Sequence, residues 1–145
     1  MKIMGVDYGK SRIGCAVSDT LGMIANPIGT VHETYFPKQV QQVAKWVEEH
    51  RPERIVVGLP RHMNGDEGDS AQMARDFAKA LEEASGVPCV MRDERMTTVM
   101  AHKLLNTLDM RGSGKRKQVV DTVSAVYILQ EYLDSLERSE EKHGH

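Results

Sequence analysis

The chain has 145 residues, 40% hydrophobic and 28% charged, with a formal net charge of -2, enough for one domain with one real core. The near-neutral balance excludes a molecule drawn to polyanions by its overall charge, so any contact with nucleic acid must come from local clusters. With no Cys-x-x-Cys pair and no long apolar stretch at the N-terminus, a disulfide, a zinc site, a secretory leader and a membrane span are not expected, and a cytoplasmic location is.

The first element is the short apolar run Ile3-Met4-Gly5-Val6, which carries an acid, Asp7, at its C-terminal end and is followed by Tyr8-Gly9. Such a run reads as a buried strand, with Asp7 presented where it leaves the core. Gly5 and Gly9 leave room for something bulky to approach the backbone. An unpaired carboxylate there is costly to desolvate, so it is either satisfied by a turn or used in chemistry. After a tight link, Ile13, Cys15 and Val17 alternate with small residues, the period of a second, antiparallel strand. Asp19 to Gly22 is a turn, and Met23 to Val31 reads as a third strand whose Pro27 suits an edge. From Pro37 the period changes. Val40, Val43, Ala44 and Val47 share one helical face, with Trp46 among them as a packing or partner residue, and Pro52 ends the helix.

Arg54 to Pro60 is a continuous apolar strand, expected to be buried on both faces. At Gly58-Leu59-Pro60 it opens into a polar loop that contains Asn64-Gly65. Asp69-Ser70 is placed to cap a second helix, whose face is Ala71, Ala74, Ala78 and Leu81 with Phe77 beside them. Cys89 to Met91 is a short strand, and Asp93-Glu94-Arg95 leaves its end. Both cysteines read as buried thiols within strands. Thr97 or Thr98 caps a third helix bearing Ala101, Leu104, Leu105 and Leu108. The Gly-rich basic run Arg111 to Lys117 reads as a mobile loop. A last helix, from about Lys117 to Leu136, buries Ala125, Ile128, Leu129, Tyr132, Leu133 and Leu136. Residues 137–145 are charged and aperiodic, and are expected to fray from a single domain spanning 1–136. The order β-β-β-α-β-α-β-α-α implies an α/β fold, a mixed sheet with helices on its faces, and a site beyond the carboxyl ends of the parallel strands.

Asp121 falls on the buried stripe of the last helix, where an acid is uncommon unless paired. An acid in the first helical turn, favoured by the helix dipole, is the bland alternative. Asp7, Glu94 and Asp121 lie at strand ends or on an inward helix face. If they converge, their mutual repulsion calls for a cation. Carboxylates with water suit Mg²⁺ or Mn²⁺. Two such ions roughly 4 Å apart would activate water and stabilise the leaving oxygen of a phosphodiester. Lys10, Arg12, Arg95 and the loop cations Lys115, Arg116 and Lys117 are candidate phosphate contacts, each with a solvated surface charge as the plain alternative. Gly58, Pro60, Asn64 and Gly65 are candidates to shape a loop facing the substrate, or simply to turn the chain.

Four blocks give the chain a resemblance to a known family. They are Asp7-Tyr8-Gly9 with Arg12-Ile13-Gly14, Val57-Gly58-Leu59-Pro60 with Asn64-Gly65, Asp93 to Thr98, and Lys117 to Asp134. Over about residues 2–134 it resembles the YqgF family, also called RuvX, of RNase H-like proteins. The resemblance implies a five-stranded RNase H-like sheet with helices on both faces and matches Asp7, Glu94 and Asp121 to the family's acidic residues. It also implies nuclease activity, with structured precursor ribosomal RNA (5′-end processing of the small-subunit RNA) or branched DNA at a Holliday junction as substrate. Ribosomal or transcription proteins are further partners it allows, and the chain would act as a monomer or homodimer. Asn64 where Asp is common, Met96 for Leu, and Val123-Ser124 where small residues are usual depart from the pattern without touching the acids.

Two other functions compete. A non-catalytic binding module on the same fold is compatible with the near-neutral charge. Phosphoryl transfer from ATP would need a second domain or a Walker A sequence, and a haloacid-dehalogenase phosphatase would need an acid where Gly9 stands.

Overall fold

The computed structural model describes residues 1–59, 69–93 and 122–136. Three strands come first: β1 (Ile3–Tyr8), β2 (Arg12–Ser18) and β3 (Ala25–His32). Then follow α1 (Phe36–His50), β4 (Arg54–Leu59), α2 (Asp69–Ser85) and β5 (Cys89–Asp93). A further helix, α3, covers residues 122–136. The strands form one five-stranded sheet in the order β3-β2-β1-β4-β5. β1, β2 and β3 are an antiparallel meander, and β4 and β5 run parallel to β1.

The two-residue period of the strands sorts their side chains onto two packed faces. On one, Met4, Val6, Ile13, Cys15, Ile55 and Val57 meet α1 and α2 through Val40, Val43, Val47, Phe77 and Leu81. On the other, Ile3, Ala16 and Val56 meet α3 through Ala125, Ile128, Leu129, Tyr132 and Leu133. The run Ile55-Val56-Val57 is fully buried because its side chains alternate between the two cores, as its unbroken apolar sequence demands. Helices therefore cover both faces. β3 lies at the edge with Pro27 in it, and the ladder slips between Cys15 and Ala16, opposite Gly29 and Pro27. The residue left unmatched by this bulge is Ile28, next to Pro27, which cannot donate to a ladder.

α1 starts with Pro37 in its first turn and ends at Arg51, whose N–H reaches the Val47 carbonyl at 2.8 Å from a left-handed backbone, φ 49°. Trp46 packs into the α1/α2 core and lies against Gly29.

Three boundaries and the burial of one cysteine differ from the sequence expectation. β1 runs on through Tyr8, so Asp7 lies within the ladder rather than at the turn beyond it. β3 starts at Ala25, not Met23. Asp19 Oδ1 accepts the N–H groups of Met23 (2.7 Å) and Ile24 (3.2 Å), which draws both into the turn and leaves their side chains exposed. α2 begins at Asp69, so the residue expected to cap it is in its first turn, where the helix dipole favours an acid. Cys89 is only partly buried, on the last strand of the sheet, whereas Cys15 is fully buried.

Candidate active site

One row of residues crosses the sheet near the carboxyl end of β1. Thr30 opposes Gly14, Gly14 opposes Asp7, Asp7 opposes Gly58, and Gly58 opposes Arg92. Residues opposed in this way project onto the same face. That face is the α3 face, since Ile3, four residues before Asp7, packs in the α3 core. The half-buried carboxylate of Asp7 thus has a buried glycine on each neighbouring strand. The next side chains along the row, Thr30 and Arg92, are two strands away, roughly 10 Å. The row itself crowds Asp7 with no side chain.

α3 is fixed over this face at several points. Directly below Asp7, a Cβ on Gly5 would come within 2.7 Å of Leu129 Cβ and 3.0 Å of the Ala125 carbonyl oxygen, so the helix rests on bare backbone. Thr122, at the start of its described part, has its hydroxyl 2.6 Å from that of Thr30, in the Asp7 row. Gln130 Oε1 accepts the Ala25 N–H at 2.9 Å, and its Nε2 donates to the Met23 carbonyl at 2.9 Å and to Asp134 at 3.1 Å. Arg54 donates to Tyr132 Oη. Arg92 lies 5.8 Å from the centre of the Tyr132 ring and reaches Ser135 Oγ at 3.4 Å and Glu131 at 3.7 Å. These contacts hold α3 against the sheet, with Thr122 meeting the Asp7 row at Thr30.

The link from β1 to β2 is equally constrained. A Cβ on Gly9 would sit 2.6 Å from the Arg12 carbonyl oxygen, so the link closes only around glycine. Beneath it, Gln39 accepts a hydrogen bond from Tyr8 Oη at 3.0 Å and donates from Nε2 to the carbonyls of Lys10 (2.8 Å) and Glu33 (2.6 Å). The Lys10 side chain is exposed and that of Arg12 half-buried. On the opposite face, burial and secondarily the charge of Asp7 push the Cys15 thiol far above its usual range. The Tyr8 phenol is raised as well, by burial and then by Asp76.

Of the site residues expected from sequence, Asp7 and Gly58 come together in one row, and Lys10 and Arg12 flank it on the hairpin. Glu94, Arg95, Lys115, Arg116, Lys117, Asp121, Pro60, Asn64 and Gly65 lie outside the described residues. β5 ends at Asp93, opposite Leu59, one residue beyond the Asp7 row. Among the described residues there is no group of three or more His, Cys, Asp or Glu side chains placed to hold a metal ion. No helix among them is long and apolar enough to cross a membrane. Sequence reading missed Gln39, the Thr30–Thr122 pair and the Arg92–Tyr132 stack. Only Gln130, inside the block from Lys117 to Asp134, carried a signal.

Comparison with known proteins adds three findings. The model of the RuvX family, described as Holliday junction resolvase, matches residues 1–135. A protein of Clostridium botulinum (strain Eklund 17B / Type B), named "Putative pre-16S rRNA nuclease", is 44% identical over 138 residues, covering 95% of this chain and 100% of the relative. Among solved structures, RuvC of T. thermophilus in complex with a Holliday junction superposes with a TM-score of 0.61 at 14% identity, over 94% of this chain and 96% of that one. The Fowlpox virus resolvase, bound to Holliday junction DNA, gives 0.56 at 15% identity over 94% and 99%. At these identities the two structures establish the shared fold.

Proposed function

The chain belongs to the RuvX family, and on that premise we propose that it is a metal-dependent nuclease whose substrate is precursor 16S ribosomal RNA, trimmed at its 5′ end. The observation that carries this reading is the place of Asp7: a carboxylate on a central strand, between two glycines, on the face covered by a helix fixed to the same row. Gly14 and Gly58 leave lateral room for a ligand beside Asp7.

That room, and the hard oxygen donors, fit Mg²⁺ or Mn²⁺. We assign Asp7, Glu94 and Asp121 as the residues that would hold it. In sequence, Glu94 directly follows the last residue of β5 and Asp121 directly precedes Thr122, whose hydroxyl meets Thr30 of the Asp7 row. When bound, the ion supplies Lewis acidity for activating water and stabilising charge at phosphorus. The chain's own residues do the rest. β1 carries Asp7, and α3 is tied to β1 at Gly5 and to β5 through Arg92. Lys10, Arg12 and Arg95, with Lys115, Arg116 and Lys117, neutralise phosphates without reading sequence. Gly58, Pro60, Asn64 and Gly65 are assigned to the loop that faces the substrate. Cleavage of four-way DNA junctions is the second reading, favoured by the description of the family.

The test is cleavage of a 5′-extended precursor 16S fragment and of a synthetic four-way junction, with Mg²⁺ or Mn²⁺ and with chelator. Wild-type protein should cut the RNA, and Asp7→Asn should lose at least about 10²-fold in rate with an unchanged circular dichroism spectrum. If Asp7→Asn cuts as fast as wild type, or the wild type cuts neither substrate, a non-catalytic role replaces this one.

A further inference from the structure

Gln39 is a neutral polar side chain in the first turn of α1, only 1% exposed, at the rim of an apolar core. Its amide is fully engaged. Oε1 accepts from Tyr8 Oη, and Nε2 donates to two backbone carbonyls, those of Lys10 and Glu33. The partners are neither random nor local. Tyr8 is the residue after Asp7, Lys10 is in the link between β1 and β2, and Glu33 is the residue after β3. The Glu33 N–H in turn donates to the Ser11 carbonyl at 3.1 Å. One buried amide thus ties the strand that carries Asp7, the hairpin tip and the end of β3 to the first turn of a helix.

Net stability gained from such bonds is modest, but leaving a buried carbonyl unpaired is costly. An apolar side chain at position 39 would leave two carbonyls without their donor, and the hairpin would relax toward water to satisfy them. The cations that would move with it are Lys10 and Arg12, which flank Asp7.

We propose that Gln39 is a positioning residue for substrate binding. It acts through the backbone of the hairpin, holding Lys10 and Arg12 where they meet the phosphodiester chain, and never touches the substrate itself. The proposal rests on the reading of Asp7 as the centre of a nuclease site.

The experiment measures affinity for a fluorescent 5′-extended RNA fragment in chelator, so that binding is read without cleavage, and turnover separately with Mn²⁺. Gln39→Met should weaken binding about tenfold and raise KM to match, while kcat stays within about twofold of wild type. Gln39→Glu, whose neutral acid form still accepts from Tyr8 and can donate one O–H, should recover part of the loss. Lys10→Ala should weaken binding by itself, and Gln39→Met should cost less in that background than in wild type, because the share acting through Lys10 is already lost and only that through Arg12 remains. A purely structural role predicts the opposite: additive losses that vanish once corrected for the folded fraction.

Amide hydrogen exchange at Glu33, whose N–H donates to the Ser11 carbonyl, gives an arm independent of activity, with at least tenfold faster exchange expected in Gln39→Met. Unchanged exchange there, or unchanged affinity per folded molecule in a protein that cleaves normally, overturns the proposal. If wild type cuts nothing and Asp7→Asn is silent, the nuclease reading fails instead, and with it the binding role. The exchange arm then shows whether Gln39 holds the hairpin at all.

Discussion

Replacing Gly5 by alanine tests whether the height of α3 above the sheet matters to the site. The added Cβ would meet Leu129 Cβ at 2.7 Å, the Ala125 carbonyl oxygen at 3.0 Å and Leu129 Cα at 3.4 Å. Carbon atoms in contact sit roughly 3.5–4.0 Å apart, so α3 must rise by about 1 Å. None of the three atoms can swing aside, because two belong to the helix backbone and the third is fixed to it. Overpacking of this kind costs about 1–3 kcal/mol, which urea denaturation reads as a lower midpoint at unchanged slope. Lifting α3 also strains the Thr30–Thr122 contact in the Asp7 row, and with it the position from which Asp121 is proposed to act. A displacement of about 1 Å costs on the order of 10²-fold in rate. Gly5→Ala should therefore be less stable and, per folded molecule, about a hundredfold slower on precursor RNA. Unaltered stability would contradict the packing argument. Full activity in a destabilised protein would cut the link between α3 and the chemistry.

Other outcomes follow from separate features. Arg51→Gly should stabilise the protein by up to about 1 kcal/mol, since Arg51 holds a left-handed backbone at the end of α1 where glycine has no steric penalty; thermal melts will show it. Neither thiol should be reactive. Burial drives Cys15 far upward, and burial with the charge of Glu82 pushes Cys89 up to about 12, so alkylation at pH 8 should run on the order of 10²-fold or more below free cysteine. Hydrogen bonds from the Met23 and Ile24 N–H groups depress the Asp19 carboxyl below its usual value. Its contribution to stability is then fully present above the unfolded value of about 3.9 and is lost as pH falls through the lower, folded value. The stability gap between wild type and Asp19→Asn should stay level above about pH 5 and narrow below about pH 4 in acid titrations.

Much of the fold was legible in the sequence because its signals are local. The apolar run Ile55-Val56-Val57 could only be a strand covered on both sides, and Pro27 could only sit at an edge. The start of β3 was misread because Met23 and Ile24 look like strand residues; the side chain of Asp19, four and five positions earlier, takes their N–H groups into a turn. Gln39 was not legible. Glutamine at the start of an amphipathic helix normally faces water, and its three partners come from segments brought together only by the sheet. Asp7 was recognisable as a carboxylate without an obvious structural reason. What periodicity could not reveal is that both ladder neighbours of Asp7 are glycines, because that depends on the registers of β2 and β4.

Gln130 carries one more consequence. Its amide offers a donor and an acceptor much as a peptide group does, and it engages the Met23 carbonyl and Ala25 N–H just where β3 begins. The sheet thus meets α3 as if it were one more rung of the ladder. A rung cannot be shifted by half a step, so the two bonds of Gln130 oppose any glide of α3 along its axis. The face that carries Asp7 therefore has a helix behind it held in register with the strand edge.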